Sequence, residues 1–351
     1  MKQNKIQRTT ERTQYFMERN HPYLPEGALT IPHLIPCTDT AEAISENRFY
    51  TGSLRGLESA CSQGRVVEGM VTLCDCQTMC LTVDFGGGIR GRMDRDEVCY
   101  QPDNSPVKDI AIITRVGKPV QCRILGFARS ENGEVIARLS RREAQKECHR
   151  RYLSGLTPGD IIPARITHME SFGAFMDIGC GMISLATVDC LSVSRISHPR
   201  DRFSVGECIL AVVKQNDPVT GRIYMSTREL LGTWEENAAG FTTAQTVTGI
   251  VRSTEDYGVF VELTPNLAGL AEPRGDCRPG DGCAVYIKSI LPERMKIKLV
   301  MIDLCDPPQR TDLRYFLPPD VRHMDRWQYS PGRCDRVIET VFADMELQVQ
   351  G

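Results

Sequence analysis

The chain has 351 residues, of which 41% are hydrophobic and 25% charged, and its net charge at pH 7 is −3. The length is too great for one small barrel and suits about two to four domains. No apolar run is long enough to span a bilayer, and the slight negative charge argues against a strong duplex-DNA binder, which is usually basic overall. A single-strand binder stays open, because stacking on bases replaces part of the phosphate attraction.

Residues 1–63 read as an N-terminal arm, mixed in charge and without clear periodicity. Pro22, Pro25, Pro32 and Pro36 interrupt it. A short helix is expected from Thr40 to Glu46, capped by Thr38 or Asp39. Tyr15, Phe16 and the basic residues up to Arg19 either dock on a partner or form a loose arm. No apolar stretch follows the basic start Met1-Lys2-Gln3-Asn4-Lys5, so a cytoplasmic protein is expected rather than a secreted one. The 15 cysteines are scattered, odd in number and free of Cys-x-x-Cys pairs, the pattern of buried reduced thiols in a reducing compartment. Cys74, Cys76 and Cys80 would share a strand face, but no histidine lies nearby to complete a metal site.

Residues 64–140 carry a first barrel-like pattern. Strands are expected at Val66 to Thr72, Cys80 to Phe85, Ile110 to Thr114, Val120 to Phe127 and Glu134 to Leu139. Gly86 to Gly88 form a turn rather than a phosphate loop, since no Gly-Lys-Ser/Thr ending follows. Residues 141–156 read as a basic helical connector with Arg141, Arg142, Lys146, Arg150 and Arg151. Its basic side is either a solvated face or a phosphate-contacting stripe.

The richest stretch is residues 157–228. Ile161 to Ile166 alternates as a half-buried strand. Ser171-Phe172-Gly173-Ala174-Phe175 follows, then Met176 to Ile178, a Gly179-Cys180-Gly181 turn and the apolar run Met182 to Leu185. A polar loop with Arg195, His198, Arg200 and Arg202 leads to strands at Cys208 to Lys214 and Arg222 to Ser226. Five short strands in about 70 residues have the rhythm of a small closed barrel. Residues three apart on a flat strand face opposite ways, so Gly173 is expected to kink the strand and bring both rings to one side. After a connector at 229–243, residues 244–305 repeat the pattern: Tyr257 and Phe260 follow Phe172 and Phe175 at an 85-residue offset. The tail, 306–351, is rich in proline and charge but too aromatic around Arg314 to Pro319 and Asp325 to Pro331 for pure disorder. It either folds back on the third barrel or serves a partner.

The central block resembles the S1 RNA-binding domain, an OB-fold module, through Gly159-Asp160, Ser171 to Phe175, Gly206-Glu207 and Gly221 to Ser226. Over about residues 64 to 305 the chain resembles short, firmicute-type members of the ribosomal S1 family. The fold class so implied is all-β: three tandem five-stranded OB-fold barrels joined by short helical connectors, with irregular termini. The resemblance implies binding of single-stranded mRNA through stacked aromatics and its delivery to the small ribosomal subunit. Carried over by position, the RNA face comprises Phe172, Phe175, Arg222, Lys214, Arg200 and Arg202 in the central module, and Tyr257, Phe260 and Lys296 in the third. Laid on the family pattern, the two aromatic positions of the first module fall on Gln77 and Cys80, so its platform is lost. Where the family often has a loop histidine, this chain has Ser184 and Glu272. The degenerate first module and the arm are the expected ribosome-docking parts.

No cofactor, metal, membrane or small-molecule substrate is expected. Asp177, Asp189 and Asp201 are not spaced as a metal pair, and His21, His33, His149, His168, His198 and His323 show no ligand or triad pattern. An enzyme is therefore not expected. The competing reading is a ribosome-associated or regulatory factor whose barrels act as a protein-binding scaffold.

Overall fold

The computed structural model describes residues 41–101, 105–130, 132–217, 220–308, 313–318 and 321–342. The sequence readings on the arm before residue 41, its aromatic pair and the helix cap lie outside these residues. Two helices, α1 (Ala41–Thr51) and α2 (Leu54–Ser62), precede the first barrel. The Ser53 side chain caps α2 by accepting from the Gly56 N–H, and Leu57 and Ala60 are buried on the barrel. The expected short helix is thus longer and begins a docked pair.

Three closed five-stranded barrels follow, as the fold class anticipated. The first comprises β1 (Val66–Asp75), β2 (Cys80–Asp84), β3 (Arg90–Met93), β4 (Pro119–Arg129) and β5 (Val135–Ser140). In it the strand expected at Ile110 to Thr114 is instead a short helix, α3 (Asp109–Ile113). A short apolar run satisfies helix and strand alike. The barrel takes its third strand from Arg90-Gly91-Arg92-Met93, which pairs with β2 and, in parallel, with β5. Arg90 and Arg92 face outward while Gly91 and Met93 face the core.

The connector is α4 (Arg141–Arg151). It is neither a solvated face nor a phosphate stripe along its whole length. Arg141 is buried, donating from Nη1 to the Val98 carbonyl (3.0 Å) and from Nη2 to the Gly181 carbonyl (2.8 Å). Gln145 likewise accepts from the Tyr100 N–H and donates to the Cys180 carbonyl. The helix therefore joins the first barrel to the second, and Arg150 and Arg151 are held on Glu147.

The second barrel is β6 (Ile161–Glu170), β7 (Gly173–Asp177), β8 (Ile183–Thr187), β9 (Cys208–Asn216) and β10 (Ile223–Ser226). After a short helix α5 (Trp234–Ala238), the third is β11 (Thr246–Glu255), β12 (Gly258–Thr264), β13 (Leu267–Ala271), β14 (Gly282–Leu291) and β15 (Lys296–Cys305). Each barrel has its own apolar core, around Leu81, Met93 and Leu139, around Ile166, Met176 and Phe203, and around Val261, Ile287 and Leu299.

The tail folds back on both later barrels. Trp327 and Tyr329 enter the third core, and the Tyr329 hydroxyl donates to the Asn266 carbonyl. Phe342, Tyr315 and Leu317 cover Ile161, Leu210 and Val212 of the second. A two-stranded sheet, β16 (Arg326–Gln328) with β17 (Glu339–Val341), fixes the two ends of this strap. No described helix is long and apolar enough to cross a membrane.

Cys74, Cys76 and Cys80 carry free thiols, but Cys76 is exposed and the other two are half-buried rather than buried. Cys208 departs from the reduced-thiol reading, being disulfide-bonded. Among the described residues no cluster of acidic, histidine or cysteine side chains has the makings of a metal site.

Candidate nucleic-acid interface

Strand pairing aligns the three barrels residue by residue. Each first hairpin pairs without a break to its tip, then skips one residue of the first strand. His168 thus faces Phe175, Ser253 faces Phe260 and Leu73 faces Thr82. The first-barrel counterparts of the two ring positions are therefore Met79 and Thr82, not Gln77 and Cys80. The reason is turn length: Asp75 pairs with Cys80 across four residues, whereas Glu170 pairs with Gly173 and Glu255 with Gly258 across two. Neither counterpart is aromatic, so the platform is absent all the same.

The rings of the second barrel stand at 5.9 Å between centroids with planes at 89°, and those of the third at 6.1 Å and 89°. Phe172 is 52% exposed and Tyr257 66%, while Phe175 and Phe260 are half-buried. Strand kinking is not the cause of their shared side. The irregularity lies in the partner strand, between Ile166 and His168, and β7 pairs regularly with β8 from Gly173 onward. Phe172 and Tyr257 instead sit in the tight turn before the strand, where strand alternation does not apply. Gly173 is needed for close approach: a Cβ there would collide with the Ala186 carbonyl oxygen, as one on Gly258 would with that of Ala271.

From each half-buried ring a row of outward residues crosses the sheet: Phe175, Leu185, Tyr224 and Gln215 in the second barrel, Phe260, Leu270, Lys298 and Ser289 in the third. His168 stacks on Phe175 at 6.0 Å and 27°, and its Nε2 lies 2.6 Å from a Glu170 carboxylate oxygen. Sequence reading missed His168, Tyr224 and Lys298. The first was visible as the residue three before Ser171, the others only through the pairing.

Arg222 and Lys296 are exposed at the starts of the last strands, and Arg200 is exposed in the loop. Lys214 is half-buried, its Nζ 3.1 Å from the Cys190 sulfur. Arg202 does not belong to this surface. It is 2% exposed and gives Glu262 a two-pronged contact, Nη1 to Oε1 at 2.9 Å and Nη2 to Oε2 at 2.5 Å. Arg252 joins from β11, bonding Glu262 and Asp201. Burial pushes the Arg202 pKa down, and Glu262 opposes that shift. Arg202 thus closes an ion network between the second and third barrels. Ser184 is likewise buried in β8, donating to the Ile223 carbonyl, and is not a loop residue; Glu272 is exposed.

No family model matches the chain. Over 173 residues it is 29% identical to the small ribosomal subunit protein bS1 of Leuconostoc lactis, covering 46% of this chain and 40% of that protein. Over 191 residues it is 28% identical to bS1 of Rhodopseudomonas palustris, covering 54% and 32%. The alignments thus span less than half the length of these relatives. Among solved structures, a multidomain protein with nucleic-acid-binding domains from Streptococcus pneumoniae matches at 14% identity over 68% of this chain and 74% of that one, with a TM-score of 0.22. The complex of a/eIF2alpha, aDim2p and rRNA from Pyrococcus horikoshii matches at 21% identity over 24% of this chain and 51% of its own, with a TM-score of 0.21. Structural likeness this weak carries no argument about function.

Proposed function

The chain is a bS1-like assembly of S1-type OB barrels, and from that premise we propose that it binds single-stranded RNA on the second and third barrels and presents mRNA to the small ribosomal subunit in the cytoplasm. The observation that carries this reading is the recurrence of one ring pair on two barrels, one ring exposed and one half-buried, at the same register position and with the same T-shaped geometry. An unpaired base presents a π-face whatever its identity, so such rings hold single strands with little sequence preference. Arg222, Lys296 and Arg200 are exposed and supply positive charge for phosphates, and Lys298 and Tyr224 lie in the outward rows that start from Phe260 and Phe175. The scaffold alternative draws on the weak net charge and on the first barrel, where the rings are lost.

The test is a set of alanine variants at Phe172, Phe175, Tyr257 and Phe260, each measured for affinity to a single-stranded oligonucleotide at fixed salt and for thermal unfolding. Stacking is worth about 1–3 kcal/mol per base, so each variant is expected to bind about one to two decades more weakly. Phe172→Ala and Tyr257→Ala should keep the wild-type midpoint, because those rings are exposed. Unchanged affinity in all four folded variants would reject the platform and favour the scaffold.

A further inference from the structure

The joint between the first and second barrels brings two arginines into one another's field. Arg115 sits in the turn after α3 and is half-buried, so it is reachable from solvent. Its backbone is pinned: its N–H donates to the Ile112 carbonyl, its carbonyl accepts from the Lys118 N–H, and the Gly117 N–H donates to the Val71 carbonyl in β1. Yet its Nε is buried without a hydrogen-bond partner, and among the described residues the guanidinium makes no hydrogen bond or ion pair. The charge acting on it most strongly is that of Arg141, which together with burial pushes the Arg115 pKa down to about 10. Arg141 is itself fixed between the Val98 carbonyl of the first barrel and the Gly181 carbonyl of the second, and these contacts leave others of its N–H donors unused. Asp177 opposes the shift on Arg115 but is already engaged. Its Oδ1 accepts from the Gly179 and Gly181 N–H groups, and it lies opposite Arg165 in the pairing of β6 with β7. Burial also raises the Asp177 pKa, which weakens it as a counter-charge.

Arg115 stays charged at neutral pH, since about 10 lies well above neutrality. Like charges in a partly buried site disfavour each other, and a buried cation is tolerated only when paired. A water would satisfy the Nε donor but leave the repulsion in place, whereas an anion removes both. Guanidinium groups present parallel N–H donors that match two oxygens of one ion. A tetrahedral oxoanion offers separate oxygens to two such groups in different planes, which a flat carboxylate does not. We propose that Arg115 and Arg141 bind a small free oxoanion of the phosphate class at the joint between the first and second barrels. Bound there, it ties the Arg115 turn of the first barrel, through Arg141, to α4 and to the turn that carries Gly181. The site uses none of the ring-platform residues, and the inference does not depend on RNA binding.

The experiment follows thermal unfolding of the full chain across a series of inorganic phosphate concentrations, with chloride keeping the ionic strength constant. A ligand that binds only the folded state raises the midpoint with its concentration. Phosphate also stabilises proteins by exclusion from their surfaces, so the measure is the difference between the wild-type chain and Arg115→Gln. The variant loses charged hydrogen bonds and should need about tenfold more phosphate, or more, for the same rise. An equal rise in both chains, the mark of an adventitious ion only, overturns the proposal, as does no rise in either. Without phosphate, Arg115→Gln should unfold at or above the wild-type midpoint, because a repelled charge is gone. A lower midpoint would mean that the guanidinium already has its partner within the chain, and would overturn the site. Arg115→Lys keeps the stem and the charge but not the fork, and should also respond more weakly; a full response would overturn the two-oxygen geometry. A labelled single-stranded oligonucleotide separates the sources of phosphate. It should not be displaced by phosphate at constant ionic strength, and Arg115→Gln should keep its affinity. Displacement, or a loss of affinity in the variant, would assign the anion to a nucleic-acid strand and overturn the free-oxoanion site.

Discussion

The first barrel and the paired second and third barrels share one topology and differ in what they place at equivalent positions. An acid closes the regular part of each second strand: Asp84, Asp177 and Glu262. In the first two barrels it serves its own loop, Asp84 accepting from the Gly86 N–H and Asp177 from those of Gly179 and Gly181. In the third, the extra methylene of glutamate carries the carboxylate to Arg202 and Arg252, and a local cap becomes an inter-barrel bond. The outward rows diverge in the same manner: Thr82, Arg92 and Arg138 follow one another in the first barrel, whereas the rows of the others start from Phe175 and Phe260. The barrel is thus a frame that tolerates exchange at outward positions because its stability comes from inward ones, such as Met93, Met176 and Val261.

The comparison breaks most visibly at the acid. Glu262→Ala leaves Arg202 buried without its partner, which costs about 3–5 kcal/mol. Asp84→Ala removes a single exposed loop bond, worth about 1 kcal/mol. Denaturant unfolding of the two variants should show this gap, and equal losses would mean that the inter-barrel network contributes nothing beyond a local cap.

A graft sharpens the contrast between the faces. Met79→Phe with Thr82→Phe puts rings at the register positions of the other platforms. If pairing register alone makes a platform, oligonucleotide affinity should rise by up to about one decade, at the lower end of the stacking range. The four-residue turn, with Met79 at a φ of +55°, works against the geometry of a two-residue one. An unchanged affinity would therefore assign the platform to turn length rather than to ring identity.

The smallest effect belongs to α4. Arg150→Gln with Arg142→Gln should leave the salt dependence of RNA binding unchanged, since Arg150 is occupied by Glu147 and the helix joins two barrels. A fall in slope of about 0.7 per residue would restore the phosphate-stripe reading.

Much of the fold was legible in the chain. The number of barrels, most of their strands and the recurring ring pair follow from spacing, because alternation along a strand and tight turns between strands are local properties. What failed was whatever depends on distant partners or on pairing register. Ile110 to Thr114 has strand composition, yet the sheet was completed by Arg90 to Met93, whose place is set by pairing with β5 more than forty residues on. The first-barrel ring positions were misplaced by two because turn length, invisible to a motif, shifts the register. Arg202 reads as a loop cation beside Arg200. Its burial is decided by Glu262, 60 residues away, and by the low-dielectric contact that makes a charge tolerable only when paired. The tail's aromatic residues announced that they had to be covered, but only the tertiary structure chose the two barrels that cover them. Spacing encodes what neighbours in the chain do to one another, and burial of charge and closure of sheets are settled by residues that folding brings together.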